Sequence, residues 1–156
     1  MNIVTDFAKL TDIPRIMELL RQVHAVHAEG RPDLFPGDSK YAPQQLQEIL
    51  TNPSLPVLVA REGDKVVGYA FCKLQTPAFS SQVAKRHSLY IDDLCVDEAC
   101  RGKGIGRSLY NAALSYAREH DCYNLTLNVW ELNAGAKAFY QKMGLVPLRT
   151  TMEKLL

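Results

Sequence analysis

The stretch CRGKGIGRS, residues Cys100–Ser108, sets three glycines among basic residues just ahead of a run that reads as a helix. Glycines let backbone N–H groups approach an anion, and a helix N-terminus supplies partial positive charge, so such a turn suits a phosphate. It is not a P-loop, which needs GxxxxGK[ST]. Nor is it a dinucleotide fingerprint, because Gly102-Lys-Gly104-Ile-Gly106 gives GxGxG where GxGxxG is required. A second grouping with chemical capacity is His24 and His27. Three residues apart, they share a helix face at the spacing of a metal pair. No third ligand follows at supporting spacing, so no metal site is expected.

These residues belong to a chain of 156 residues, the size of one ordinary domain, with 47% hydrophobic and 22% charged residues. That is enough to bury a core without metals or disulfides. The net charge of +1 argues against whole-molecule attraction to nucleic acid or an anionic membrane, so any anion site must be local. The opening MNIVTDFAKL lacks the basic and apolar regions of a secretory signal, and no apolar run approaches membrane-spanning length. Cys72, Cys95, Cys100 and Cys122 form no CxxC pair. The expectation is a cytoplasmic protein with reduced, structural thiols.

The elements that must position the turn follow from periodicity. Residues 2–6 read as a first strand. Thr11-Asp12 is expected to cap a helix with Pro14 in its first turn, and Ile13, Ile16, Leu19, Leu20, Val23 and His27 give it one buried stripe ending near Glu29-Gly30. The Pro/Gly-rich segment RPDLFPGDSKYAP is a long loop of the kind that carries function. A short helix is predicted over Pro43–Leu50. Val57–Arg61 and Lys65–Leu74 are strands joined by a hairpin at Glu62-Gly63-Asp64, and Ser88–Val96 is another. Beyond the glycine turn come a helix to His120, a strand over Leu125–Trp130, a helix over Asn133–Met143 closed by Gly144, and a last strand over Leu145–Met152. The order β-α-α-β-β-β-α-β-α-β predicts one α/β layered domain over residues 1–156, with mixed parallel and antiparallel pairing.

What remains of the turn is Arg-x-x-Gly-x-Gly: Arg101, Gly104 and Gly106, after a strand ending LCV and before an amphipathic helix. Here the sequence resembles GNAT-type N-acetyltransferases, in which this motif wraps the pyrophosphate of acetyl-coenzyme A. A distant element, Asn133-Ala-Gly-Ala-Lys-Ala-Phe-Tyr140-Gln-Lys-Met-Gly144-Leu, is similar to the family's N…A…FY…GF segment. The resemblance covers essentially the whole chain and is best over residues 88–148. It implies a mixed, mostly antiparallel sheet of six to seven strands with four helices, and two parallel strands splayed into a cofactor cleft. In that cleft the backbone of Leu94, Cys95 and Val96 pairs with pantetheine as an added strand would. The pyrophosphate falls to Arg101, Gly102, Lys103, Gly104, Ile105, Gly106, Arg107 and Ser108. Asn133 matches a helix-start asparagine that bonds the cofactor, though Asn is also a good N-cap.

The implied reaction is acetyl transfer from acetyl-CoA, with no metal, to a primary amine. The amine must be neutral to attack, so binding has to help remove its proton. Tyr140 matches the family's tyrosine beside the sulfur, a proton donor to the departing thiolate. Tyr90-Ile91-Asp92-Asp93 stands where related polyamine and small-amine acetyltransferases read Tyr-Leu-Glu-Asp, so Asp92 matches the proton acceptor, working through water. Asp93 or no dedicated base are the alternatives. Adjacent strand residues face opposite sides, so both carboxylates enter one cleft only if a bulge intervenes.

On the acceptor side, His24, His27, Asp33, Phe35 and Tyr41 come from the first helix and the loop after it, and Trp130 from a strand end. All six are expected to line the amine's end of the cleft. The acidic pair favours a small cationic amine. The alternatives are a protein N-terminus or lysine, or a non-catalytic acyl-CoA sensor. The apolar tail TTMEKLL permits strand pairing or exchange, and a homodimer is expected.

Overall fold

In the computed structural model, which describes residues 2–37, 39–76 and 86–156, the chain runs β1 (Ile3–Phe7), α1 (Ile13–Gly30), α2 (Pro43–Leu50) and β2 (Val57–Glu62). It continues through β3 (Lys65–Gln75), β4 (Ser88–Val96), α3 (Ile105–Glu119), β5 (Asn124–Leu127) and α4 (Ala134–Lys142). The strands lie in the order β1-β2-β3-β4-β5, the first four antiparallel and β5 parallel to β4. The parallel step needs a crossover, which α3 supplies. Most of the polar connection expected between β3 and β4 lies outside the described residues.

Each face of the sheet is covered, so the central strands are apolar on both sides. One cluster joins Val67, Ala70, Leu89 and Ile91 to Ile105, Leu109, Ala113 and Ala117 of α3. The other joins Val59, Tyr69, Phe71 and Cys95 to Ile16, Leu19 and Leu20 of α1 and Leu46 of α2. Gly68 lies close beneath Ile105 and Leu109 of α3. A Cβ there would stand 2.8 Å from the Cys95 carbonyl oxygen and 2.9 Å from Leu109 Cδ1.

Two expectations change. Asp12 precedes α1 but its side chain does not cap that helix. Its carboxylate instead accepts the Lys9 N–H at 2.8 Å and two bonds from Arg61 at 2.8 and 2.7 Å, tying α1 to β2. The sheet has five strands among the described residues, not six or seven. β5 stops at Leu127, and no regular structure forms over Leu145–Met152. Pro147 withholds an N–H from that segment, and Val146, Leu148 and Met152 are exposed, so a sheet register there would have no face to bury.

Candidate active site

The site begins where β4 and β5 separate. Their register runs from Ser88 opposite Asn124 to Ile91 opposite Leu127 and ends there, while β4 continues against β3 to Val96. The β5-facing edge of Leu94, Cys95 and Val96 is therefore free for an extended, amide-bearing ligand. Their side chains are core: Leu94 and Val96 pack toward α3, and buried Cys95 packs toward α1. Only their backbone is offered at the cleft.

At the same point β4 carries a bulge. Phe71 pairs with Asp93 and Cys72 with Ile91, leaving Asp92 as the extra residue. Ile91 and Leu94 keep to the α3 face. Asp92 and Asp93 both turn to the other face. The Tyr41 hydroxyl donates to Asp92 Oδ2 at 2.7 Å, and the Tyr69 hydroxyl donates to Asp93 Oδ2 at 2.7 Å. The bulge thus sets both carboxylates on one face of the sheet. Lys40 Nζ lies 2.9 Å from the same Asp92 Oδ2.

These environments separate the two acids. Burial pushes the Asp93 carboxyl above the ordinary carboxylate range, against the lowering effect of the Tyr69 hydrogen bond. Asp92 is open to solvent on one side and already carries a cation. Tyr140, on α4, is half-buried; burial first, then the negative field of Asp93, holds its phenol above the usual tyrosine range. It stays protonated at neutral pH. Burial also pushes the Cys72 and Cys95 thiols up to about 12, so neither supplies a thiolate.

The anion turn sits at the head of α3. Gly104 takes the N-cap position at φ +78°, and no side chain caps the helix. The first N–H groups of α3 are left pointing outward, and open space lies where a Gly104 Cβ would project. Arg101, Lys103 and Arg107 are exposed around this cradle, while Ile105 is buried and anchors it. The Ser108 hydroxyl donates back to the Gly104 carbonyl at 3.1 Å. Gly106, in the first turn of α3, faces α4: a Cβ there would stand 3.4 Å from the Phe139 ring, an ordinary contact. An uncapped helix start and a free strand edge fit the pyrophosphate and pantetheine of coenzyme A.

The approach to the turn is braced from α1. Asp97 is buried, accepts the Ala99 N–H at 3.1 Å and Gln22 Nε2 at 3.3 Å, and forms a short ion pair with Arg15. Burial pushes its carboxyl up, but these bonds outweigh it and hold the group below the ordinary range. Asn133 caps α4, its Oδ1 accepting the Ala136 N–H at 3.1 Å.

On the acceptor side the structure gathers most of the expected residues. Phe35 stacks near His27 (5.0 Å between ring centres), Trp130 (5.2 Å) and His24 (6.0 Å). Burial, helped by His24 and Lys40, lowers the His27 pKa, so the ring is neutral at pH 7. His24 is buried, and its Nε2 has no hydrogen-bond partner among the described residues. Tyr41 stands over Phe71, 5.6 Å between ring centres. Asp33 is not brought in; its carboxylate forks with Arg31 at 3.0 and 2.9 Å on the surface. No group of three metal-ligating side chains occurs among the described residues.

Sequence reasoning missed Lys40 and Tyr69. Lys40 was one step from a chosen residue in a loop already judged functional. Tyr69 was hidden in an apolar strand, its hydroxyl the sole hint.

A splayed parallel pair, a bulged strand with two acids and an uncapped glycine turn define an acyl-CoA-binding architecture, and the comparisons agree. The acetyltransferase (GNAT) family profile matches residues 17–145, and the chain belongs to that family. It is similar to the N-alpha-acetyltransferase RimI of Mycobacterium tuberculosis, 35% identical over 75% of this chain and 68% of that protein. The thialysine N-epsilon-acetyltransferase of Bos taurus is 28% identical over 90% of this chain and 71% of that protein. A crystal structure of a mutant BH1408 protein from Bacillus halodurans superposes with a TM-score of 0.94 at 33% identity, covering 98% of this chain and 99% of that one. The protein is an acetyltransferase enzyme.

Proposed function

We propose that the protein acetylates a primary amine on a small cationic molecule, by direct attack within a ternary complex. Acetyl-CoA, held by the α3 turn and the β4 edge, supplies the acetyl thioester. The Asp92 carboxylate receives the acceptor's ammonium and draws off a proton through water. The Phe35, His27 and Trp130 rings wall the acceptor, and Tyr140 gives its proton to the departing sulfur. Protonated, buried Cys72 and Cys95 support direct attack over a cysteinyl intermediate.

The observation that carries this reading is Asp92 itself. A bulge aims it, Tyr41 fixes it, and a primary ammonium already rests on it. The test is CoA release over a panel of diamines, polyamines, amino acids, aminoglycosides and peptides. Turnover concentrated on small cations is expected. Turnover on peptide N-termini with none on small amines would favour a protein acceptor, the reading to which the likeness to RimI points.

Two further parts of the reading rest on weaker features. The edge of β5 away from β4 takes no strand among the described residues, and Val146, Leu148, Met152 and Leu155 are exposed beyond α4. This open edge and these exposed apolar side chains support a homodimer in which a second copy covers them. No described helix is long and apolar enough to cross a membrane, and all four cysteines are free, which supports a cytoplasmic setting.

A further inference from the structure

The contact between Lys40 and Asp92 sets the protein's own amine where the acceptor's amine belongs. Lys40 Nζ is a primary alkylammonium 2.9 Å from Asp92 Oδ2, the oxygen that also accepts from Tyr41. Four other cations have ion pairs of their own away from this site: Arg15 with Asp97 and Glu18, Arg61 with Asp12, Arg31 with Asp33 and Glu153, and Lys137 with Glu131. The Lys40 side chain is 41% exposed and rides on the loop between α1 and α2, so a few rotamer changes carry its nitrogen about the site. The neighbouring Tyr41 is anchored on Asp92 and Phe71, which keeps Lys40 at the cleft however its side chain moves.

We propose that Lys40 is a self-acetylation site, and that its acetylation clears Asp92 for an incoming amine. This rests on reading Asp92 as the acceptor carboxylate. The Lys40 ammonium yields a proton toward Asp92 and its water. The neutral nitrogen then bonds to the acetyl carbonyl carbon as the carbon–sulfur bond breaks. In all, the nitrogen gives up two protons. The sulfur ends with one, delivered by Tyr140 and replaced from solvent, and the other goes to solvent. The products are Nε-acetyl-Lys40 and CoA thiol. The amide carries no charge, so the ion pair with Asp92 is lost while the Tyr41 bond remains.

The experiment incubates the full chain with acetyl-CoA and no added amine, followed by intact mass and proteolytic mapping. One acetyl group on Lys40 is expected, forming at a rate independent of protein concentration and lost in Asp92→Asn. Lys40→Gln, which copies the acetylated state, should lower the KM for a diamine about fivefold, the worth of a partly exposed ion pair, with kcat little changed. Lys40→Arg keeps the cation and should hold the KM of the unacetylated protein. An unmodified Lys40 alongside turnover of an external diamine overturns the proposal alone. Acetylation spread over exposed lysines and unaffected by Asp92→Asn also overturns it. Failure to acetylate either Lys40 or any amine brings down the Asp92 reading and this inference together.

Discussion

In the proposed reaction Tyr140 gives a proton to the leaving sulfur and Asp92 draws one from the amine. Replacing Tyr140 by Phe should lower kcat about 10²-fold while acetyl-CoA affinity, read by calorimetry, stays near wild type. An unchanged rate would remove it as the acid. For Asp92→Asn the loss in kcat/KM should be greatest at the lower end of the pH profile, where an ordinary amine with pKa ~10.4 is most fully protonated. A loss uniform across pH would move the role to Asp93 or to bulk water. Gly104 tests the donor end. Its φ of +78° and the open space above it mean that Gly104→Val strains the turn and fills the cradle, so acetyl-CoA binding should become undetectable by calorimetry. Gly106→Ala, with 3.4 Å of room beside Phe139, should keep binding.

At the scale of elements, β4 does most to make the site, through a bulge and an early parting from β5. Neither was written plainly in the sequence. The apolar alternation of β4 was legible because core positions recur every second residue, and the glycine turn was legible because few residues tolerate such backbone. The bulge was visible only as a problem, two adjacent acids where one face is available. Its solution depended on the register with β3. The cap of α1 was misread for a similar reason. Asp12 had the right type and place, but Arg61, forty-nine residues away, offered a stronger partner. That pairing predicts a pH effect. The Arg61 hydrogen bond holds Asp12 below its ordinary 3.8, so its stabilising effect is complete above that value and fades as pH falls through the lower native value. Urea midpoints measured from about pH 5 down to about pH 2 should fall more steeply for the wild type than for Asp12→Asn. At the sheet–helix contact, Gly68→Ala should cost about 1–3 kcal/mol, because its Cβ meets the rigid Cys95 carbonyl at 2.8 Å.

For the whole molecule, the fold class, four helices and the cofactor turn could be read from one chain, since each follows from local pattern. The strand count and the surroundings of Asp93 could not, since they depend on partners distant in sequence. Val146, Leu148 and Met152 stand exposed beyond α4, and the proposed homodimer rests on them. Leu148→Glu with Met152→Glu should turn a dimer into a monomer by light scattering; a wild type already monomeric at high concentration would defeat the homodimer. One brace reaches across the whole molecule. α1 holds the approach to the glycine turn by binding Asp97 with Arg15 and Gln22, and toward its C-terminal end it carries His24 and His27 against Phe35. On the proposed reading the helix is a strut shared by both substrates. Acetyl-CoA should then slow amide hydrogen exchange along α1, including the turn that carries His24 and His27, so that filling one seat stiffens the other.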